Sequence, residues 1–172
     1  MTLRVFGITG WKNSGKTTLT CKLVEEFTRR GFRVSTLKHA HHAFDVDHEG
    51  TDSYRHRQAG AGEVAIVSGR RWAVMHELKD RPEPSMQEML AQLSPCDLVL
   101  IEGFKRANHP KIELRREAAL DRTPVPDEGG SIRAIAADHA VDDAKVPVFS
   151  LEDIAAIADM IALETGLGEP AA

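Results

Sequence analysis

Residues Gly10 to Thr17 read G-W-K-N-S-G-K-T and fit the pattern G-x-x-x-x-G-K-[ST]. Each fixed position has a mechanical reason. The glycines permit torsions that turn successive N–H groups into one concavity, where a Cβ would block a phosphate. Lys16 is long enough to reach the β- and γ-phosphates of a nucleotide. Thr17 offers a hydroxyl to Mg²⁺, and a helix starting here turns its positive end to the anion. The nucleotide-contacting stretch is therefore Gly10, Trp11, Lys12, Asn13, Ser14, Gly15, Lys16 and Thr17. Trp11 is bulky for such a loop, and three packings suit it: on a base, on a partner, or over the loop itself.

A phosphate site of this kind needs an acid at the end of a neighbouring strand to hold Mg²⁺ or its water. Asp97 opens the apolar run D-L-V-L-I and Glu102 closes it in I-E-G-F. Ligands of open parallel sheets bind at the carboxyl ends of the strands, which favours Glu102 and puts Asp97 at the far end. Lys16 and Glu102 are the candidate catalytic pair, and Thr17 with Glu102 the candidate metal site. Asp47 is a third acid, on a loop after the second strand. Strand-end capping or an ion pair is the plain alternative for Glu102.

Five of the eight histidines fall between His39 and His56, in and beside K-H-A-H-H-A-F-D-V-D-H. His and Asp are competent metal ligands, but the stretch has no i, i+4 His pair on a helix and no cysteine. A substrate or Mg²⁺ loop and a solvated loop are the other readings. Tyr54, Arg55 and Arg57 suit an anion clamp, because guanidinium forks match phosphate oxygens, or else a solvated helix face. Lys105 and Arg106 follow Glu102 and are suited to a second anionic ligand, or are simple surface charge.

The surrounding pattern supplies elements to position these groups. Leu3–Thr9 reads as a buried strand. From Lys16, Leu19, Leu23, Val24 and Phe27 fall on one helical face, with Gly31 as the stop, and Arg33–Lys38 is a second strand. That is a βαβ unit with a parallel pair. A short helix is predicted from Thr51 towards Gly60. Glu63–Val67 and Trp72–Met75 are predicted as a hairpin about Gly69, a candidate dimerising element because exposed strand edges pair. Ser85–Leu93 is predicted helical. Asp97–Ile101 is the most strand-like run and suits a central strand buried on both faces. Ile112–Leu114, Ile132–Ala136 and Val146–Phe149 are later strands, and 121–131, with two prolines and two glycines, a mobile loop. Ser150 is the predicted cap of a last helix over Leu151–Leu163. The expected architecture is α/β: a mostly parallel sheet flanked by helices, with a β-hairpin excursion. Residues 1–165 are expected to form one nucleotide-binding domain, and 166–172 a disordered tail.

The chain has 172 residues, 42% hydrophobic and 28% charged, which is ordinary globular composition. The net charge of −4 gives no basic field for nucleic acid. No apolar run approaches the ~18 residues of a membrane span. Cys21 and Cys96 lack metal-ligand spacing and read as reduced thiols. A soluble cytoplasmic protein is expected.

The blocks G-W-K-N-S-G-K-T-T-L, T-L-K-H-A-H-H with F-D-V-D, D-S-Y-R-H-R-Q-A-G-A, and D-L-V-L-I-E-G-F-K followed by P-K-I-E-L together resemble the MobB family of molybdopterin-guanine dinucleotide biosynthesis, over residues 3 to about 115. The resemblance implies a P-loop NTPase fold that binds GTP and Mg²⁺, turns GTP over slowly if at all, and forms homodimers. It implies an accessory role beside a MobA-type guanylyltransferase, which joins GMP to molybdopterin to make the guanine dinucleotide cofactor. Carried onto this chain, Gly10 to Thr18 hold the phosphates and Thr17 contacts Mg²⁺. One departure stands out: relatives with a deviant P-loop carry lysine directly after the first glycine, where this chain has Trp11, so no intersubunit lysine role transfers. No N-K-x-D appears. Asp138, closing A-A-D, is placed to accept from guanine N1 and N2, or else is a turn aspartate. The rival classes are a nickel or zinc metallochaperone GTPase using the His39–His48 loop, and a small-metabolite kinase holding its acceptor on Lys105 and Arg106.

Overall fold

A computed structural model of the chain describes residues 3–40, 44–127 and 129–170. It divides the chain into two compact units, residues 1–39 with 86–172, and residues 40–85.

The first unit is built on a six-stranded sheet. Its strands are β1 (Val5–Gly10), β2 (Val34–Lys38), β5 (Leu98–Glu102), β6 (Lys111–Arg115), β7 (Ile132–Ala137) and β8 (Val148–Ser150). They lie in the order β2-β5-β1-β6-β7-β8, and every pair is parallel. Parallel strands need covering on both faces, and alternation in β5 shows how this is met. Leu98 and Leu100 join a core under α1 (Lys16–Arg29) and α4 (Ile154–Thr165), with Leu23, Phe27, Ile157 and Ile161 fully buried. Val99 and Ile101 join a second cluster with Met86, Met89 and Leu90 of α3 (Met86–Ala91). The two clusters pack on opposite faces of β1 and β5, so the turns that follow these strands leave from segments covered on both sides.

Two expectations need correction here. Ser150 does not cap the last helix: it ends β8, its hydroxyl accepts from Glu152 N, and Asp153 caps α4 by accepting from Ala156 N. The segment 121–131 is tied to the sheet by acids. Glu113 accepts from Val125 N at 2.7 Å, and Asp127 accepts from Ser131 N and Ile132 N. Within the stretch expected to be a tail, Gly166 ends α4 with a left-handed φ of 61° and Leu167 packs on the core.

The second unit holds α2 (Asp52–Gln58) and the antiparallel hairpin β3 (Glu63–Val67) and β4 (Trp72–His76). Thr51 caps α2. Arg57 is its polar hub: the guanidinium donates to Asp45, Asp47 and Glu77. Three carboxylates on one guanidinium leave no fork for an added phosphate, so Arg57 is a structural pin and not the anion clamp the sequence suggested. Replacing it strands Asp47, whose side chain is 3% exposed, as an unpaired acid. Arg57→Met is therefore expected to lose amide-exchange protection across β3 and β4 while β1 and β5 keep theirs. Unchanged protection in the hairpin would contradict this. Hydrogen bonds from Arg57 hold the Asp47 carboxyl below its ordinary value of 3.8. This stabilisation is present above that pH and is lost as acid titrates the native carboxylate.

Candidate functional site

The chain leaves β1 through a loop with three left-handed positions, Gly10 (φ 148°), Asn13 (φ 64°) and Gly15 (φ 89°), and Lys16 opens α1 directly behind it. A Cβ at Gly10 would stand 2.6 Å from the Ser14 hydroxyl and 2.9 Å from Leu114 O. That position therefore requires glycine for space as well as torsion. Trp11, Lys12, Asn13, Ser14, Thr17 and Thr18 all lie on this loop or the first turn of α1. The Lys16 ammonium folds back onto the loop and donates to Gly10 O at 3.1 Å and Trp11 O at 2.7 Å. Burial lowers its pKa, Glu102 raises it, and Lys105 and Lys38 lower it further.

Glu102 ends β5, beside β1, and its two oxygens stand 3.2 Å from the Thr17 hydroxyl. Lys38 at the end of β2 lies 3.5 Å away. Asp97, at the opposite end of β5, is engaged by Arg33 through the backbone N–H and the guanidinium. The structure thus brings Thr17, Lys16 and Glu102 together and leaves Asp97 apart. Asp47 belongs to the second unit, in the Arg57 cluster already described.

The residues fit a nucleotide with Mg²⁺. Ser14 Oγ and Thr9 Oγ1 are buried with no hydrogen-bond partner among the described residues. Lys16 meets only backbone carbonyls of the loop it would leave for a phosphate. Thr17 and Glu102 supply a hydroxyl and a carboxylate, the oxygen donors that Mg²⁺ takes directly or through water. Glu102→Gln is expected to weaken Mg²⁺ support of nucleotide binding, and to strengthen metal-free binding, because it removes a negative charge beside Lys16 and Lys38. The Mg²⁺ increment should fall on the order of tenfold. An unaltered increment in calorimetry with and without Mg²⁺ would rule out Glu102 at the metal.

Past Glu102 the backbone turns through left-handed Gly103 (φ 98°) and Phe104 (φ 46°). A Cβ on Gly103 would meet His39 Cβ at 2.9 Å, and the His39 ring stacks on Phe104 with centroids 4.6 Å apart. His41 and His42 lie outside the described residues. Among the described residues, no group of three or more His, Cys, Asp or Glu could hold a metal ion. Lys105 Nζ lies 4.1 Å over the Trp11 ring, whose Nε1 donates to Thr123 O at 2.6 Å. Trp11 thus ties its loop to residues 105 and 123.

Several residues that shape the site were missed from sequence. Lys111 is 1% exposed and donates to Lys105 O and Ala107 O. It fixes the turn that carries Lys105. Glu113, also 1% exposed, holds Val125 N and Arg115. The available signal was a lysine and a glutamate inside the strand run K-I-E-L, where a buried charge must have a partner. Arg116 lies beside Gly15: its Cδ and Nη1 are 3.6 and 3.8 Å from where a Gly15 Cβ would stand. Asp138 follows β7, and both oxygens of its carboxylate accept hydrogen bonds. Glu117 N donates to Oδ1 at 2.7 Å, Arg116 Nε donates to Oδ2 at 3.3 Å, and His139 Nδ1 hydrogen-bonds Oδ1 at 3.1 Å. These bonds, the Glu117 amide first, hold the Asp138 carboxyl at about 2.

Comparison with known proteins agrees with this geometry. The sequence model of the family MobB, described as Molybdopterin guanine dinucleotide synthesis protein B, matches residues 5–138. The molybdopterin-guanine dinucleotide biosynthesis adapter protein of Haemophilus influenzae is 39% identical over 160 residues, 91% of this chain and 86% of that relative. The protein of the same name from Escherichia coli is 37% identical over 153 residues, 88% of this chain and 87% of that one. The crystal structure of a MobB protein homolog from Bacillus stearothermophilus matches at TM-score 0.66 with 30% identity, covering 92% of this chain and 98% of that chain.

Proposed function

This chain belongs to the MobB family, and on that premise we propose that it is a GTP–Mg²⁺-binding adapter assisting a MobA-type guanylyltransferase. Its place in molybdopterin-guanine dinucleotide biosynthesis follows from the family. The nucleotide, the metal and the partner enzyme are the proposal. The observation that carries it is the loop Gly10–Thr17 with Lys16 held on its carbonyls and Thr17 against Glu102.

Bound there, the phosphates of GTP receive the loop N–H groups and the positive end of α1, and Lys16 turns from Gly10 O and Trp11 O to the β- and γ-oxygens. Thr17 and Glu102 would hold Mg²⁺ or its water, and the ion would supply positive charge against the phosphates. Glu102 is also bound to Thr17 and Lys38, which leaves it poorly placed to abstract a proton from water. Turnover is accordingly slow, and the protein presents GTP rather than consuming it. Guanine is the base that the pathway's dinucleotide carries. The protein works in the cytoplasm as a homodimer, which the apolar hairpin residues Val67 and Trp72, 81% and 72% exposed, support. Among the described residues, no helix is long and apolar enough to cross a membrane.

The test is guanine dinucleotide formation by a purified MobA-type guanylyltransferase, with molybdopterin and limiting Mg·GTP. Added wild-type protein should raise the rate and Lys16→Ala should not. No stimulation, or equal stimulation by both, would sink the proposal.

A further inference from the structure

We infer that Arg116 is a further nucleotide-phosphate contact, aimed at the phosphate-binding loop by Asp138, which anchors this arginine instead of reading the base. The inference rests on the nucleotide-binding reading above and deepens it.

Three observations carry it. The first is position. Arg116 lies over Gly15, the residue that leads into Lys16 and α1, with Nη1 3.8 Å from the space a side chain would take. The second is the state of the guanidinium. Among the described residues only Nε has a hydrogen-bond partner, Asp138 Oδ2, and Glu152 is a second acid that feels its charge. The side chain is 45% exposed, so Nη1 and Nη2 are open to a ligand. A fork fixed at Nε, with both Nη groups left to donate, is the arrangement that meets phosphate oxygens in pairs. The third is the anchor. Asp138 is fixed in turn by Glu117 N and His139, so both its oxygens are already in use. A guanine reading N1–H and N2–H on this carboxylate would compete for oxygens that already accept from Glu117 N, His139 and Arg116.

Sheet order says which phosphates are concerned. The strands run β2-β5-β1-β6-β7. Lys38, Glu102 and Thr17 mark the metal side of the loop, towards β5 and β2. A Mg²⁺ held by Thr17 and Glu102 would supply its charge to the β- and γ-phosphates on that side. Arg116 follows β6, on the other side of β1. It therefore meets the phosphates nearer the sugar, the α and β groups. A small recess on that side is lined by Trp11, Arg116, Thr123 and His139.

The experiment is calorimetric titration of wild type, R116A, R116K and D138N with Mg·GTP, Mg·ITP, Mg·XTP and GDP. R116A should lose about tenfold to a hundredfold in affinity, the worth of a charge-assisted hydrogen bond. The factor should be the same for every base and for GDP as for GTP. R116K should recover part of it, because its charge remains without the fork. D138N should lose uniformly across bases, and R116A/D138N should lose no more than R116A. Arg116 is on the surface, so R116A keeps the wild-type melting temperature and decides the matter alone should D138N unfold. Wild-type affinity in R116A overturns the inference. So does a D138N protein that exchanges GTP for XTP, since an Asn that donates to xanthine O2 is a base reader. If wild type binds none of the nucleotides, the nucleotide-binding reading fails and takes this inference with it. Binding by wild type that R116A does not weaken removes the inference alone.

Discussion

Lys16→Ala abolishes measurable nucleotide binding and leaves the melting temperature where it was. Lys16 donates only to carbonyls of its own loop, Gly10 O and Trp11 O. It stands among Lys38 and Lys105, which disfavour its charge, with Glu102 as the compensating acid. Removing it from the free protein therefore costs two backbone contacts and relieves like-charge repulsion, and the two effects oppose each other. Phosphates change the balance. The ammonium then makes charge-assisted bonds of about 1.5–3 kcal/mol each, and two of them amount to at least about a hundredfold in affinity. Titration calorimetry with a parallel melting curve separates binding from folding. A Lys16→Ala protein that binds Mg·GTP as wild type does would mean the loop is not a phosphate site.

The second large effect is acid lability governed by His109. Its ring is 4% exposed and lies against Gly7, where a Cβ would collide with Nε2 and Cδ2. Neither ring nitrogen has a hydrogen-bond partner among the described residues. Burial, and then the Lys111 ammonium, push its pKa down from 6.5 to about 4. The folded state thus holds His109 neutral while the unfolded chain protonates it first. The His109 contribution is complete above pH 6.5, falls as pH drops from 6.5 towards 4, and is spent below that. A depression of that size corresponds to about 3 kcal/mol. His109→Leu cannot titrate, and it removes two unpartnered polar atoms. It should melt near wild type at neutral pH and lose most of the wild-type decline between pH 6.5 and 4. Parallel pH profiles for the two proteins would contradict the assignment.

Much of the phosphate site was legible because its information is local. Gly10, Gly15, Lys16 and Thr17 act through the torsions and reach of one contiguous loop, and the helix behind it follows from the spacing of Leu19, Leu23 and Phe27. Glu102 was separable from Asp97 by a rule about parallel sheets: the two acids sit at opposite ends of β5, and only one end faces a ligand. The rest depended on partners distant in sequence. Arg57 reads as an exposed helix cation until Asp45, Asp47 and Glu77 converge on it. Asp138 reads from sequence as a base acceptor or a turn aspartate, and its partners Arg116 and Glu117 lie 22 and 21 positions earlier. The prolines and glycines of 121–131 suggested mobility, and the acids Glu113 and Asp127 counter it by holding main-chain N–H groups. The misplaced helix cap arose from two competent residues three apart, Ser150 and Asp153. The strand kept the serine and the helix took the aspartate.

The central claim is that this chain binds Mg·GTP at Gly10–Thr17. Calorimetric titration of the purified wild-type protein with GTP and with ATP, each with and without Mg²⁺, tests it most directly. The account predicts saturable binding of one GTP per chain, tighter than ATP and weaker when Mg²⁺ is removed. No saturable GTP binding under any of these conditions would contradict it.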